Sequence, residues 1–91
     1  MDLTELRLEM DKIDGELLAL FARRMALSGE IARWKMERNR PIFDPTREEE
    51  KLRRAALSVP EELRPSAREL MQLLMAQSRQ LQEKILQSEA T

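Results

Sequence analysis

DLTELRLEMDKIDGELLALFARRMALSGEIARWKMER, residues 2–38, is the stretch that decides the fold. Within it Leu3, Leu6, Met10, Ile13, Leu17, Leu20, Leu27, Ile31 and Trp34 step in alternating threes and fours, the heptad stripe of a helix that packs along one seam. The step after Leu20 lands on Arg24, a permanently charged side chain in a row otherwise made for burial. A helix of about 36 residues would run roughly 54 Å at about 1.5 Å per residue, longer than a compact domain of this size is wide. Much of it is therefore expected to pack on something beyond its own chain.

Working outward, Asp2 with Glu5 three residues later has the spacing of a capping box, which sets the helix start. Gly15 and Gly29 each cost about 1 kcal/mol relative to alanine inside a helix. They share one heptad position, which fits either a close helix contact or an outward-facing site. Asn39 to Phe43, with Pro41, breaks the pattern, and Asp44-Pro45 opens a second helix over 45–57 with Leu52, Ala55, Ala56 and Leu57 inward. Ser58-Val59-Pro60 ends it, residues 61–64 form a turn, and Ser66 with Glu69 suggests another capping box ahead of a third helix over 67–87. Its apolar set is Leu70, Met71, Leu73, Leu74, Met75, Leu81 and Ile85. One row reads Met71, Leu74, Ser78, Leu81, Ile85, so Ser78 is out of character, and Gln82 lies one turn on beside it. The expected fold is all-α, three helices in one domain over 1–91.

Composition narrows the chemistry. The chain has no cysteine, so disulfides and thiolate metal sites are excluded, and no histidine, which argues against zinc chemistry, catalytic triads and ordinary acid–base hydrolysis. Sixteen basic residues against seventeen acidic, mixed along every helix, lack the basic excess of a nucleic-acid binder. No run of about 18 apolar residues could span a membrane, and the acidic Met-Asp-Leu-Thr-Glu start is unlike a secretory signal. A cytoplasmic protein that self-associates is expected.

The polar residues on apolar faces then need partners. A buried Arg24 must meet an anion or hydrogen-bond acceptors, because an isolated charge out of water costs on the order of several kcal/mol. Lys35, eleven residues on, projects within about 20° of it at about 100° per residue, so the two share a face. Arg7, seventeen residues earlier, points about 100° away, so Arg7 and Arg24 would meet one ligand from different chains. Asp44 and Glu48 stand at i, i+4 with Arg47 between them, at the positive end of the second helix. Singly, Arg7, Lys35 and Arg47 read as solvated charges, Ser78 or Gln82 as a helix–helix hydrogen bond, and Arg24 as an interchain salt bridge setting register. Together they describe a pocket for a small dianion that carries a hydroxyl.

These residues give the chain its resemblance to the all-helical chorismate mutases. The resemblance runs over 6–86 through Leu6-Arg7, Ile13-Asp14, Leu17-Leu18-Ala19-Leu20, Arg23-Arg24, Lys35, Arg40-Pro41-Ile42-Phe43-Asp44, Arg47-Glu48 and Gln72-Leu73-Leu74 with Ser78 and Gln82. It implies an intertwined homodimer whose long first helices pair, and rearrangement of chorismate to prephenate, a step of phenylalanine and tyrosine biosynthesis, with no cofactor or metal. It further implies that Arg24 binds one substrate carboxylate and the partner chain's Arg7 the other, with Arg47 and Ser78 in support. Lys35 and Gln82 would hydrogen-bond the ether oxygen, Glu48 would accept the ring hydroxyl, and Asp44 would help there through its backbone. A free-standing enzyme and one module of a fusion fit equally, and the short 59–65 connection leaves little room for a regulatory loop. The rival readings are an isochorismate-pyruvate lyase on the same fold, which Glu48 disfavours by the same resemblance, and a non-catalytic helical dimerisation or regulatory module.

Overall fold

Asp2 turns the chain into its first helix: its side-chain Oδ1 accepts the Glu5 N–H at 2.8 Å, and α1 then runs unbroken over Leu3–Glu37. In the computed structural model, which describes residues 1–89, α1 is followed by α2 (Pro45–Leu57), a 3-10 turn at Glu61–Leu63 and α3 (Arg64–Glu89). There is no strand among the described residues.

The end of α1 is a Schellman turn. Asn39 takes the left-handed conformation at φ 53°, which asparagine tolerates better than most side chains. Its N–H bonds the Met36 carbonyl at 3.2 Å, and the Arg40 N–H reaches back to the Lys35 carbonyl at 2.8 Å. The Arg38 and Arg40 guanidinium groups lie 4.1 and 5.1 Å from the Trp34 ring centroid, so the turn folds onto the last helical turn. Asp44 caps α2 by accepting the Arg47 N–H at 3.1 Å, and Pro45 occupies the first turn, where a missing N–H costs nothing.

α3 starts earlier than the sequence suggests, at Arg64 rather than residue 67, and continues to Glu89 rather than residue 87. Pro65 belongs to the first helical turn, so the 3-10 turn leads directly into α3 and Ser66 lies inside the helix. The Ser66 and Glu69 capping box is thus not used at the helix start. At the far end Arg33 Nε pairs with Glu89 Oε1 at 3.1 Å.

α3 is the middle element, packed on the C-terminal half of α1 along one side and on α2 along another. Small residues permit the approach. Ala32 is fully buried, and a Cβ on Gly29 would lie 3.3 Å from Ile85 Cδ1, whereas one on Gly15 would meet nothing. Gly29 therefore marks the close contact within the chain and Gly15 does not. The core is small: Ala32, Leu52 and Met75 are its buried apolar side chains, while Leu57, expected inward, is exposed.

The first half of α1 is exposed along its apolar row. Leu3, Leu6, Met10, Ile13, Leu17 and Leu20 are each at least half exposed, and the molecule is 56 Å long but 14 Å thin. A second groove of about 510 Å³, lined by Leu17, Leu18, Leu20, Phe21, Leu70, Leu73 and Leu74, lies open between α1 and α3.

Candidate active site

All three helices use the same spacing to build one cleft. From α1 come Arg24, Ser28, Ile31 and Lys35; from α2 and its cap Asp44, Arg47, Glu48 and Lys51; from α3 Met75, Ser78, Arg79 and Gln82. In each set every residue has another three or four positions away, and the adjacent pairs Arg47–Glu48 and Ser78–Arg79 widen the face, so each helix turns one side inward. With Ile42 from the intervening loop, these residues enclose about 340 Å³.

At the α1–α3 contact, Arg24 Nη1 donates to the Leu74 carbonyl at 3.0 Å and to Ser78 Oγ. Ser28 Oγ also donates to Ser78 Oγ, at 2.8 Å. With both lone pairs of Ser78 engaged, its own proton remains available to a ligand. Both serines are buried, and the chain fixes the guanidinium while supplying it no carboxylate partner among the described residues. Lys35 Nζ donates to the Ile42 carbonyl at 2.8 Å, a contact made possible by the Schellman turn that brings the loop back over α1. Gln82 is only 6% exposed, and no hydrogen bond from the described residues engages its amide.

Five cations line the cleft against two carboxylates, in a chain whose net charge is −1. Glu48 is already paired with Arg79, at 2.6 Å, and the Asp44 carboxylate caps α2. Burial, and after it the neighbouring Arg24, Arg47 and Arg54 guanidinium groups, holds Lys51 below the usual lysine range. The cleft is thus a positively charged site with polar donors, one that favours an anion carrying more than one negative charge. No group of histidine, cysteine, aspartate and glutamate suited to holding a metal ion occurs among the described residues. No helix among them is long and apolar enough to cross a membrane.

Of the residues singled out from the sequence, Arg24, Lys35, Asp44, Arg47, Glu48, Ser78 and Gln82 line this cleft. Arg7 does not. It is exposed near the start of α1, about 25 Å along the helix from Arg24 at about 1.5 Å per residue. Ser28, Lys51 and Arg79 line the cleft although the sequence reading passed over them. Helical spacing would have found all three, since Ser28 is at i+4 from Arg24, Lys51 at i+4 from Arg47 and Arg79 at i−3 from Gln82.

Comparison with known proteins supplies a family for this geometry. A T-protein of Haemophilus influenzae (strain ATCC 51907 / DSM 11121 / KW20 / Rd) is 41% identical over 46 residues. That match covers 50% of this chain and 12% of the T-protein, so the chain corresponds to a small part of its relative. No solved structure matches. The chorismate mutase type II family matches across residues 6–83, which takes in every residue that lines the cleft and Arg7 as well. By that match, the chain belongs to the chorismate mutase type II family.

Proposed function

We propose that this chain rearranges chorismate to prephenate in the cleft between its three helices, as a homodimer. The observation that carries the reading is the convergence of Arg24, Lys35, Arg47, Ser78 and Gln82, drawn from three helices, on one positively charged cleft. Chorismate is a dianion with a ring hydroxyl and an ether oxygen. Its rearrangement is intramolecular: the ether C–O bond breaks as a C–C bond forms, with no proton, electron or group exchanged with the protein. A chain without histidine or cysteine is therefore fully equipped for it.

In this reading Arg24, steadied by Leu74 and Ser78, binds one carboxylate, with Arg47 and the Ser78 hydroxyl in support and Lys51 adding charge nearby. Holding both carboxylates selects the compact conformer in which the reacting carbons face each other, an orientation effect. Lys35 and the free Gln82 amide donate to the ether oxygen, where negative charge grows in the transition state. Glu48 accepts the ring hydroxyl, and Asp44, whose Oδ1 caps α2, contributes there through its backbone, as the family resemblance implies.

The second carboxylate is met by Arg7 of a partner subunit. What supports the dimer is the exposed apolar length of α1 and the open groove beside it, a continuous surface too large and too regular to be left in water. Pairing two copies of α1 would cover that seam and bring each Arg7 toward the other copy's cleft. The test is loss of chorismate absorbance with purified protein and with Arg24→Ala. Turnover that disappears in the variant supports the reading, and no turnover by either folded protein refutes it.

A further inference from the structure

Glu48 does not stand free in the cleft. Its Oε1 accepts a 2.6 Å hydrogen bond from Arg79 Nη1, and the two side chains are 21% and 34% exposed. The other ion pairs among the described residues, Arg33–Glu89, Arg38–Glu37 and Arg54–Glu50, are longer and more exposed, the kind that contributes little. The same Arg79 guanidinium lies 5.0 Å from the centroid of the Phe43 ring. Arg79 thus reaches from α3 to the loop before α2 and to the first turns of α2 itself, and the cation–π contact with Phe43 restrains its guanidinium.

This arrangement has two chemical effects. A carboxylate has two oxygens, and a partner on Oε1 leaves Oε2 as an acceptor whose direction the pair has set. The pair is also neutral. An unpaired Glu48 would repel a doubly negative ligand, whereas Glu48 joined to Arg79 can accept a hydroxyl without that penalty.

We propose that Arg79 is a positioning residue: by holding Glu48 Oε1 while restrained by Phe43, it aims Oε2 at the ring hydroxyl of the substrate and cancels the repulsion between Glu48 and the substrate's carboxylates. The proposal rests on the reading of Glu48 as acceptor of that hydroxyl. It differs from a purely structural tie between α2 and α3, which would affect every ligand of the cleft alike.

The test compares Arg79→Gln, Glu48→Gln and the double variant on chorismate and on the analogue with hydrogen in place of the ring hydroxyl, with thermal melts to verify folding. Arg79→Gln should lower kcat/KM for chorismate by about ten- to a hundredfold, the range for losing a charge-assisted hydrogen bond, and clearly less, by about three- to tenfold, for the analogue, which keeps the carboxylates that an unpaired Glu48 repels but has no hydroxyl to be aimed at. Adding it to Glu48→Gln should cost nothing further on chorismate. Arg79→Lys, which keeps a cation, should recover part of the loss and guards against an unfolded Arg79→Gln. Equal losses on both substrates, additive losses in the double variant, or no loss on chorismate would overturn the proposal. Failure of the wild-type chain to turn over chorismate would be a different result, overturning the reading of the whole site and this proposal with it.

Discussion

The Lys35 ammonium lies 2.8 Å from the Ile42 carbonyl oxygen, so the last turn of α1 and the loop that follows hold one cation in the cleft at a fixed point. Lysine is flexible in solution, and such a contact removes most of that freedom before any ligand arrives. A donor preorganised in this way accelerates a reaction in which charge develops on a single oxygen.

Lys35→Ala should therefore lower kcat by about a hundred- to a thousandfold, the cost typical of deleting one such donor, while leaving helicity and self-association intact. Steady-state kinetics with circular dichroism and sedimentation measure both sides. Near-normal turnover would remove Lys35 from the reaction.

In the proposed reaction Gln82 would donate from an amide whose charge state does not change with pH. Gln82→Glu should invert that property, because a carboxyl donates only when protonated: activity should rise as the pH falls toward the carboxyl range, about 4.3 for an ordinary glutamate. A pH–rate profile decides. Equal activity of the variant at high and low pH would contradict the contact with the ether oxygen.

Lys51 carries a cost that the sequence hides. Its folded-state pKa is lowered, first by burial and then by Arg24, Arg47 and Arg54, from an ordinary value of 10.5. Between the folded and unfolded values the unfolded chain binds more protons, so stability rises with pH across that window. The contribution is complete above 10.5 and lost as pH falls through the folded value, which leaves a strained cation at neutral pH. Lys51→Met should thus raise Tm at pH 7, with the gain closing as pH climbs past that window. It should also weaken binding of a dianionic inhibitor by about tenfold or more. A lower Tm for the variant at pH 7 would be inconsistent with these signs.

Arg7 and Arg24 supply a test of the dimer. If each site takes Arg24 from one chain and Arg7 from the other, Arg7→Ala and Arg24→Ala should both be nearly inactive alone. Unfolded, mixed in equal amounts and refolded together, they should recover about a quarter of wild-type activity, since half the dimers are mixed and each mixed dimer has one intact site. No recovery, in a mixture proven to exchange chains, would place both arginines in the same protomer's site or outside it.

The sequence disclosed the fold through its most repetitive feature. The heptad row from Leu3 to Trp34, the Asp2 and Asp44 caps and the prolines at 41, 45 and 60 place α1 and α2 closely, because local rules govern those boundaries. The start of α3 was less legible: Ser66 has the right spacing for a cap, but Pro65 suits a helical first turn, and the preceding 3-10 turn lets the helix begin sooner. In the cleft, Arg24, Ser78 and Gln82 stood out because they are polar in apolar rows. Ser28, Lys51 and Arg79 did not, because small or charged residues on a half-exposed face look ordinary until a neighbouring helix covers them. The Arg79 hydrogen bond to Glu48 spans α2 and α3, and no spacing rule within either helix encodes it.

The most direct measurement is the identity of the product. Purified chain would be incubated with chorismate and the mixture followed by proton NMR, with the uncatalysed reaction alongside. We expect prephenate to accumulate well above the uncatalysed rate, and at most a trace of pyruvate when isochorismate is supplied instead. A folded, self-associated chain that leaves chorismate unchanged would contradict the enzymatic reading, and rapid release of pyruvate from isochorismate would reassign the cleft to a lyase.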